Sequence, residues 1–244
     1  MTNIIYQYPP LTSGILLKRY KRFLADIELD SGEVVIAHCP NTGPMTGVCT
    51  PGSPVFVSHS SNPKRKLSYT WELIQVNDIK PTWVGINTAL PNRVIKLMLS
   101  QGLFPEFADY PEILSEVPYG EQGKSRIDFL LKKNNHQIYL EVKNTTLSDG
   151  EVALFPDTVT TRGQKHLREL IQVKHAGSRA VMLYFINRSD CTQFAPGDKT
   201  DPKYGELLRL AIQAGVEVMP CIFDVQPTGI AYLGLADLYF FREK

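Results

Sequence analysis

Ser125-Arg126-Ile127-Asp128-Phe129-Leu130-Leu131-Lys132, then after Asn134-Asn135 the run Gln137-Ile138-Tyr139-Leu140-Glu141-Val142-Lys143-Asn144, reads as two strands joined by a tight hairpin. Successive residues of a strand point to opposite faces. Glu141 and Lys143 therefore share a face and Val142 points away. Asp128 lies on the neighbouring strand, where the hairpin can bring it opposite them. On spacing alone, the charges form either a cross-strand salt bridge on a solvated face or a site. The apolar residues Ile127, Phe129, Leu140 and Val142 bracket them and favour a site, because they leave the charged side as the only polar face.

Two carboxylates and an ammonium suit one kind of chemistry. Mg²⁺ or Mn²⁺ takes hard oxygen ligands, so Asp128 and Glu141, the backbone carbonyl of Val142 and waters can hold it. Glu116, on the preceding strand, is read either as a third ligand or as a surface strand residue. The metal lowers the pKa of a bound water and neutralises charge on a phosphate under attack. Lys143 then positions or deprotonates that water and stabilises developing charge. Phosphodiester cleavage is the reaction this set expects.

Downstream, residues 145–160 have no strong period. Gly163 to His175 reads as an amphipathic helix, with Leu167, Leu170 and Ile171 on one side. Its first turn offers Arg162, Gln164 and Lys165. Either these are only the polar first turn of a capped amphipathic helix, or Gln164 can orient a water and Arg162 and Lys165, with Arg126 nearby, can meet phosphate at a helix N-terminus. Ala180 to Ile186 is a buried strand, 202–214 a helix ended by Gly215, and Val216 to Val225 a last strand. Upstream, Asn92 to Gln101 has helical spacing after Pro91. Strands alternating with helices give a mixed sheet flanked by helices.

Residues 14–86 read differently, as short strands divided by turn residues with no clear helix. That count and size fit a small barrel of the OB type. Lys18, Arg19, Lys21 and Arg22 interleave with Tyr20 and Phe23, and Lys64-Arg65-Lys66 precede Tyr69 and Trp71. A basic groove with aromatic platforms is how such barrels bind single strands. The bland alternative is lysines guarding a strand edge, with the aromatics in the core. The expected division is 1–86 for the barrel and 87–244 for the α/β domain.

Several of these stretches together resemble the sugar fermentation stimulation protein A family of bacteria and archaea. They are Lys18 to Asp26, His38-Cys39-Pro40-Asn41-Thr42-Gly43-Pro44-Met45-Thr46-Gly47, Lys64 to Lys66, Thr70-Trp71-Glu72-Leu73, Ser125 to Phe129, Glu141-Val142-Lys143 and Phe155-Pro156-Asp157 through Leu167. The resemblance implies an OB-like domain joined to a PD-(D/E)XK nuclease-like domain. Asp128, Glu141 and Lys143 would then hold the acidic, acidic and lysine positions of the nuclease motif. It also implies DNA binding without sequence preference and a regulatory link to maltose metabolism. Nucleases of this kind often add a glutamate from the first core helix, and the helix at 92–101 has no acidic residue. Glu116 would replace it, or the metal would be held with fewer protein ligands.

Composition narrows the classes. The 244 residues carry a net charge of +1, so any nucleic-acid surface is local rather than global. Cys39, Cys49, Cys191 and Cys221 form no CxxC pair, which argues against a zinc knuckle and for free thiols in a reducing cytoplasm. No apolar run is long enough to cross a membrane. The expected partner is DNA, single-stranded DNA and RNA being open alternatives. Sequence leaves the oligomeric state open, a homodimer included. An oligosaccharide- or protein-binding barrel is the third reading.

Overall fold

The computed structural model describes residues 3–239. A short strand, β1 (Ile4–Tyr6), precedes a barrel built from β2 (Leu11–Tyr20), β3 (Leu24–Leu29), β4 (Val34–His38), β5 (Pro54–His59) and β6 (Tyr69–Val76). The basic cluster that interrupts the first apolar run is the β2–β3 turn, where Lys21 and Arg22 have φ of 49° and 65°. β2, β3 and β4 form an antiparallel meander, β5 pairs antiparallel with β2 and β6, and a parallel β4–β6 pairing closes the ring. That is the OB topology, with five strands and no open edge. Leu16, Ile27, Val35, Val57, Trp71 and Ile74 fill the interior. β7 (Thr82–Gly85) adds to β6 outside the ring.

The α/β domain opens with α1 (Leu90–Ser100), which has Pro91 in its first turn and is followed by Gly102 at a φ of 65°. β8 (Glu112–Tyr119), β9 (Ser125–Lys133) and β10 (His136–Thr145) form an antiparallel meander. Next come β11 (Leu147–Asp149), β12 (Val152–Phe155), α2 (Thr161–His175), β13 (Arg179–Ile186), β14 (Gln193–Pro196), α3 (Pro202–Gln213), β15 (Glu217–Gln226), β16 (Gly229–Leu235) and β17 (Asp237–Leu238). The main sheet runs β1-β16-β15-β13-β10-β9-β8, with β10, β13 and β15 parallel at its centre. Both faces of β13 are covered, so its sequence is continuously apolar rather than alternating. α1 and the barrel cover one face of the sheet, and α2 and α3 cover the other.

The structure adds three features to the sequence reading. The start of the chain crosses the division at residue 86. β1 pairs with β16 at the sheet edge (Ile4↔Ala231, Tyr6↔Ile230), because its apolar residues cover an otherwise open strand. The segment 145–160 holds the β11–β12 hairpin, whose strands of 3 and 4 residues are too short to display a period. β14, β16 and β17 also went unread. The two domains share a core as well. Leu73 of β6, with Phe56 and Trp83, packs into the same cluster as α1 and the central strands.

Candidate functional site

The β9–β10 ladder runs from His136↔Lys133 to Leu140↔Phe129 and stops there. Beyond it the strands part, and β10 continues on β13 alone. The Asp128 side chain takes the vacated place. Its Oδ2 accepts the Val142 N–H at 2.7 Å, and its Oδ1 accepts Asn92 Nδ2 of α1 at 2.8 Å. Asp128 is thus not a partner in a flat cross-strand pair. It plugs the fork between the two strands.

Glu141 is 2% exposed. Its Oε1 accepts from Lys143 Nζ at 2.6 Å and also meets His166 Nδ1 of α2. Lys143 Nζ lies 3.2 Å from that same nitrogen. The other oxygen, Oε2, is buried and has no partner among the described residues. Burial, with the Glu141 charge second, pushes the Asp128 carboxyl up to about 6. Burial acts in the same sense on Glu141, but Lys143 and then His166 outweigh it and hold that carboxyl below its usual range. The two acids are therefore held apart in proton affinity by their surroundings.

His166 arrives through the local build of α2. The Thr160 hydroxyl caps the helix by accepting from Gly163 N at 3.1 Å. His166, Leu167, Glu169 and Leu170 then fall on the face turned to the sheet. Glu169 Oε1 accepts the Ser125 hydroxyl at 2.8 Å and pairs with Lys165 Nζ at 3.5 Å.

The other expected site residues divide. Gln164 turns away from the acidic pair and gives its amide to Asp201, the cap of α3, at 3.0 Å. Glu116 has a φ of 54°, which breaks its ladder pair with Asp128, and its side chain is exposed. Val142 is tied to Asp128 by its amide. Trp71 is fully buried in the barrel with Nε1 bonded to Leu73 O, so it offers no stacking face to a ligand. Arg19 is spent on the carbonyls of Arg22, Asn41 and Gly43. Lys18 pairs with Asp26 while lying over the Tyr20 ring, whose hydroxyl also bonds Asp26. Lys21, Arg22, Lys64, Arg65, Lys66, Arg126, Arg162 and Lys165 are exposed. Arg65 donates to Thr70, Arg126 to Glu116 O, and Arg162 faces His166 at 3.5 Å.

Sequence reading missed Asn92 and His166. The signal for His166 was a polar residue on the apolar stripe of a helix, one turn after Arg162. Asn92 gave none, because only tertiary packing brings α1 to the strand fork.

The donor set suits a hard divalent cation. Asp128 and Glu141 supply carboxylate oxygens, and Glu141 Oε2 is a buried acceptor without a donor among the described residues. No three His, Cys, Asp or Glu side chains among the described residues make a ready ligand cluster. A metal held here would keep several waters, as Mg²⁺ ordinarily does.

Residues 17–86 match the SfsA N-terminal OB domain, and residues 89–229 match the sugar fermentation stimulation protein RE domain. A sugar fermentation stimulation protein homolog of Trichodesmium erythraeum is 68% identical over 232 residues, spanning 95% of this chain and 93% of that one. The homolog of Nostoc sp. strain PCC 7120 is 66% identical over 98% of this chain and 99% of its own. Among solved structures, that of Pyrococcus furiosus SfsA in complex with Ca²⁺ matches at a TM-score of 0.87 and 28% identity, over 98% of this chain and all of that one. The chain belongs to the sugar fermentation stimulation protein family.

Proposed function

We propose that this protein is a divalent-metal-dependent nuclease that binds DNA through its barrel. The observation that carries the reading is the buried, unpartnered Glu141 Oε2 beside Asp128, with Lys143 and His166 fixing the other carboxylate oxygen. Asp128 and Glu141 would hold Mg²⁺ or Mn²⁺, which when bound would activate water and offset phosphate charge. Lys143 Nζ lies 2.6 Å from Glu141 Oε1, where it can stabilise charge on a phosphate drawn to the site. His166 holds Glu141 and Lys143 in register. The archaeal relative was solved in complex with Ca²⁺, which supports a hard-cation site in this family. The exposed basic residues of the β2–β3 turn and the β5–β6 loop lie on the two loops with which OB barrels grip oligonucleotides.

One observation favours a second reading, that of a non-catalytic, sequence-nonspecific DNA-binding regulator linked to sugar metabolism. The α1 residue beside Asp128 is a neutral amide, Asn92, which leaves two carboxylates rather than three. A panel of single- and double-stranded DNA and RNA, each with Mg²⁺, Mn²⁺ or chelator, separates the two. Metal-dependent cutting by the wild type, lost in Asp128→Ala and Lys143→Ala, is the expected result. Binding without cutting under every metal gives the regulator.

A further inference from the structure

Beyond Lys143, β10 ends in a cavity that none of this chemistry uses. Its volume is about 90 Å³, well below the roughly 300–1,000 Å³ of drug-sized ligand sites, so it has room for one small ring and no more. Both domains build it. Asn41 comes from the barrel, Thr88 from the connection between β7 and α1, and Thr145, Leu154, Phe155 and Asp157 from the α/β domain. Thr145 is 1% exposed and its Oγ1 has no partner among the described residues, although it lines the cavity. A buried hydroxyl without a partner is costly, so a ligand group is its natural complement.

The lining selects the class of occupant. It contains no lysine or arginine, and it contains the Asp157 carboxylate, so it repels a phosphate. It offers an aromatic wall in Phe155, held by Tyr184 and Tyr204 at ring centroid distances of 5.6 and 5.2 Å. It offers amide, hydroxyl and carboxylate groups for a polar edge. A flat ring with N–H and C=O groups on its rim fits that set.

The position selects the source. Lys143 and Thr145 stand two residues apart on β10, on the same face. On the other side, Arg19 of the basic β2–β3 hairpin grips the carbonyls of Asn41 and Gly43, in the loop that forms the cavity's far wall. The cavity thus has the loop gripped by the basic hairpin as one wall and the end of the Lys143 strand as another.

We propose that this cavity seats one unstacked nucleobase of a single-stranded nucleic acid, with Phe155 as its wall and Thr145 and Asp157 reading its edge. The inference rests on the nucleic-acid reading of the neighbouring site. The base is anchored here while its backbone lies toward Lys143.

The test uses the full chain in chelator, so that no cutting occurs. Two fluorescein-labelled probes of equal length are titrated by anisotropy, oligothymidylate and an all-abasic deoxyribose-phosphate strand. Thr145→Val and Asp157→Asn, both nearly isosteric, are compared with wild type after thermal unfolding shows them folded. Each variant is expected to weaken oligothymidylate binding about 3–10-fold, the worth of one hydrogen bond, and to leave the abasic strand unchanged. Equal weakening of both probes, or no weakening of either, overturns the base pocket and leaves the nucleic-acid reading standing. Failure of the wild type to bind either probe overturns the pocket and single-strand DNA binding with it, whereas the nuclease reading falls only if the full panel of substrates and metals also shows neither binding nor cutting.

Discussion

The Asp128 carboxyl is charged at neutral pH against the pull of its surroundings. Burial and then Glu141 raise it from 3.8 to about 6, and the Val142 amide, Lys143 and Asn92 only partly offset them. A group whose folded pKa is raised stabilises the fold below its unfolded pKa and loses that contribution as pH rises through the folded value. The window is therefore 3.8 to about 6. A shift of that size is worth at most about 3 kcal/mol. Asp128 is partly exposed, so about 1–2 kcal/mol is expected. Asp128→Asn keeps the shape and removes the charge. In chelator it should stabilise the protein by that amount at pH 7, and the gain should vanish below about pH 4, as urea denaturation at both pH values would show. No gain at pH 7 would mean that the fork does not strain the carboxylate. Trp71 makes the opposite case at this scale. Its place after a basic run reads like a stacking platform, yet it sits at an inward position of β6. Trp71→Ala should cost about 3–5 kcal/mol of stability, measured the same way.

At the scale of elements, the loops of the barrel carry the free charge. Lys64, Arg65 and Lys66 lie exposed between β5 and β6, and among the described residues Arg65 alone of the three has a side-chain partner, Thr70. Changing all three to Ala should weaken DNA binding and flatten the dependence of log K on log salt by about 0.7–0.9 for each phosphate no longer neutralised. An unchanged slope in anisotropy titrations across salt would remove this loop from the binding surface. The long elements were legible because each carries many turns of its own period. β9 and β10 alternate, β13 is solidly apolar, and α2 repeats its leucines at helical spacing. Short edge strands were not legible. β14 has four residues and ends in Pro196, and β1 acquires its strand identity only by pairing with β16 across the chain. The candidate site divides in the same way. Asp128, Glu141 and Lys143 lie within one hairpin, so local spacing exposed them. His166 and Asn92 reach them from helices 25 and 36 residues away in sequence, a relation that packing alone creates.

For the whole molecule, the question is whether barrel and α/β domain fold as one. Three features join them. β1 spans to the far edge of the main sheet, Leu73 and Trp83 pack into the second domain's core, and Arg188 forms a buried clamp. Arg188 follows β13 and is 1% exposed. Its guanidinium holds Asp190 at 2.7 Å, Thr146 O at 3.0 Å and Asp78 of the barrel at 2.7 Å. Burial would raise the Asp190 carboxyl, but the Arg188 hydrogen bonds and charge hold it below its usual range. That stability is present above the unfolded pKa and is lost as pH falls through the still lower folded one. Arg188→Met leaves Asp190 buried without its counter-ion and should cost about 3–5 kcal/mol at pH 7. Asp78 is 43% exposed, so Asp78→Asn should cost about 1 kcal/mol or less. The unfolding curve carries the stronger test. Trp71 and Trp83, the two tryptophans, both lie in the N-terminal domain, whereas far-ultraviolet circular dichroism reports the whole chain. With the core shared, tryptophan fluorescence and dichroism should fall together in urea, as one cooperative transition. If fluorescence changes first, the barrel unfolds on its own and the clamp fastens two independent domains.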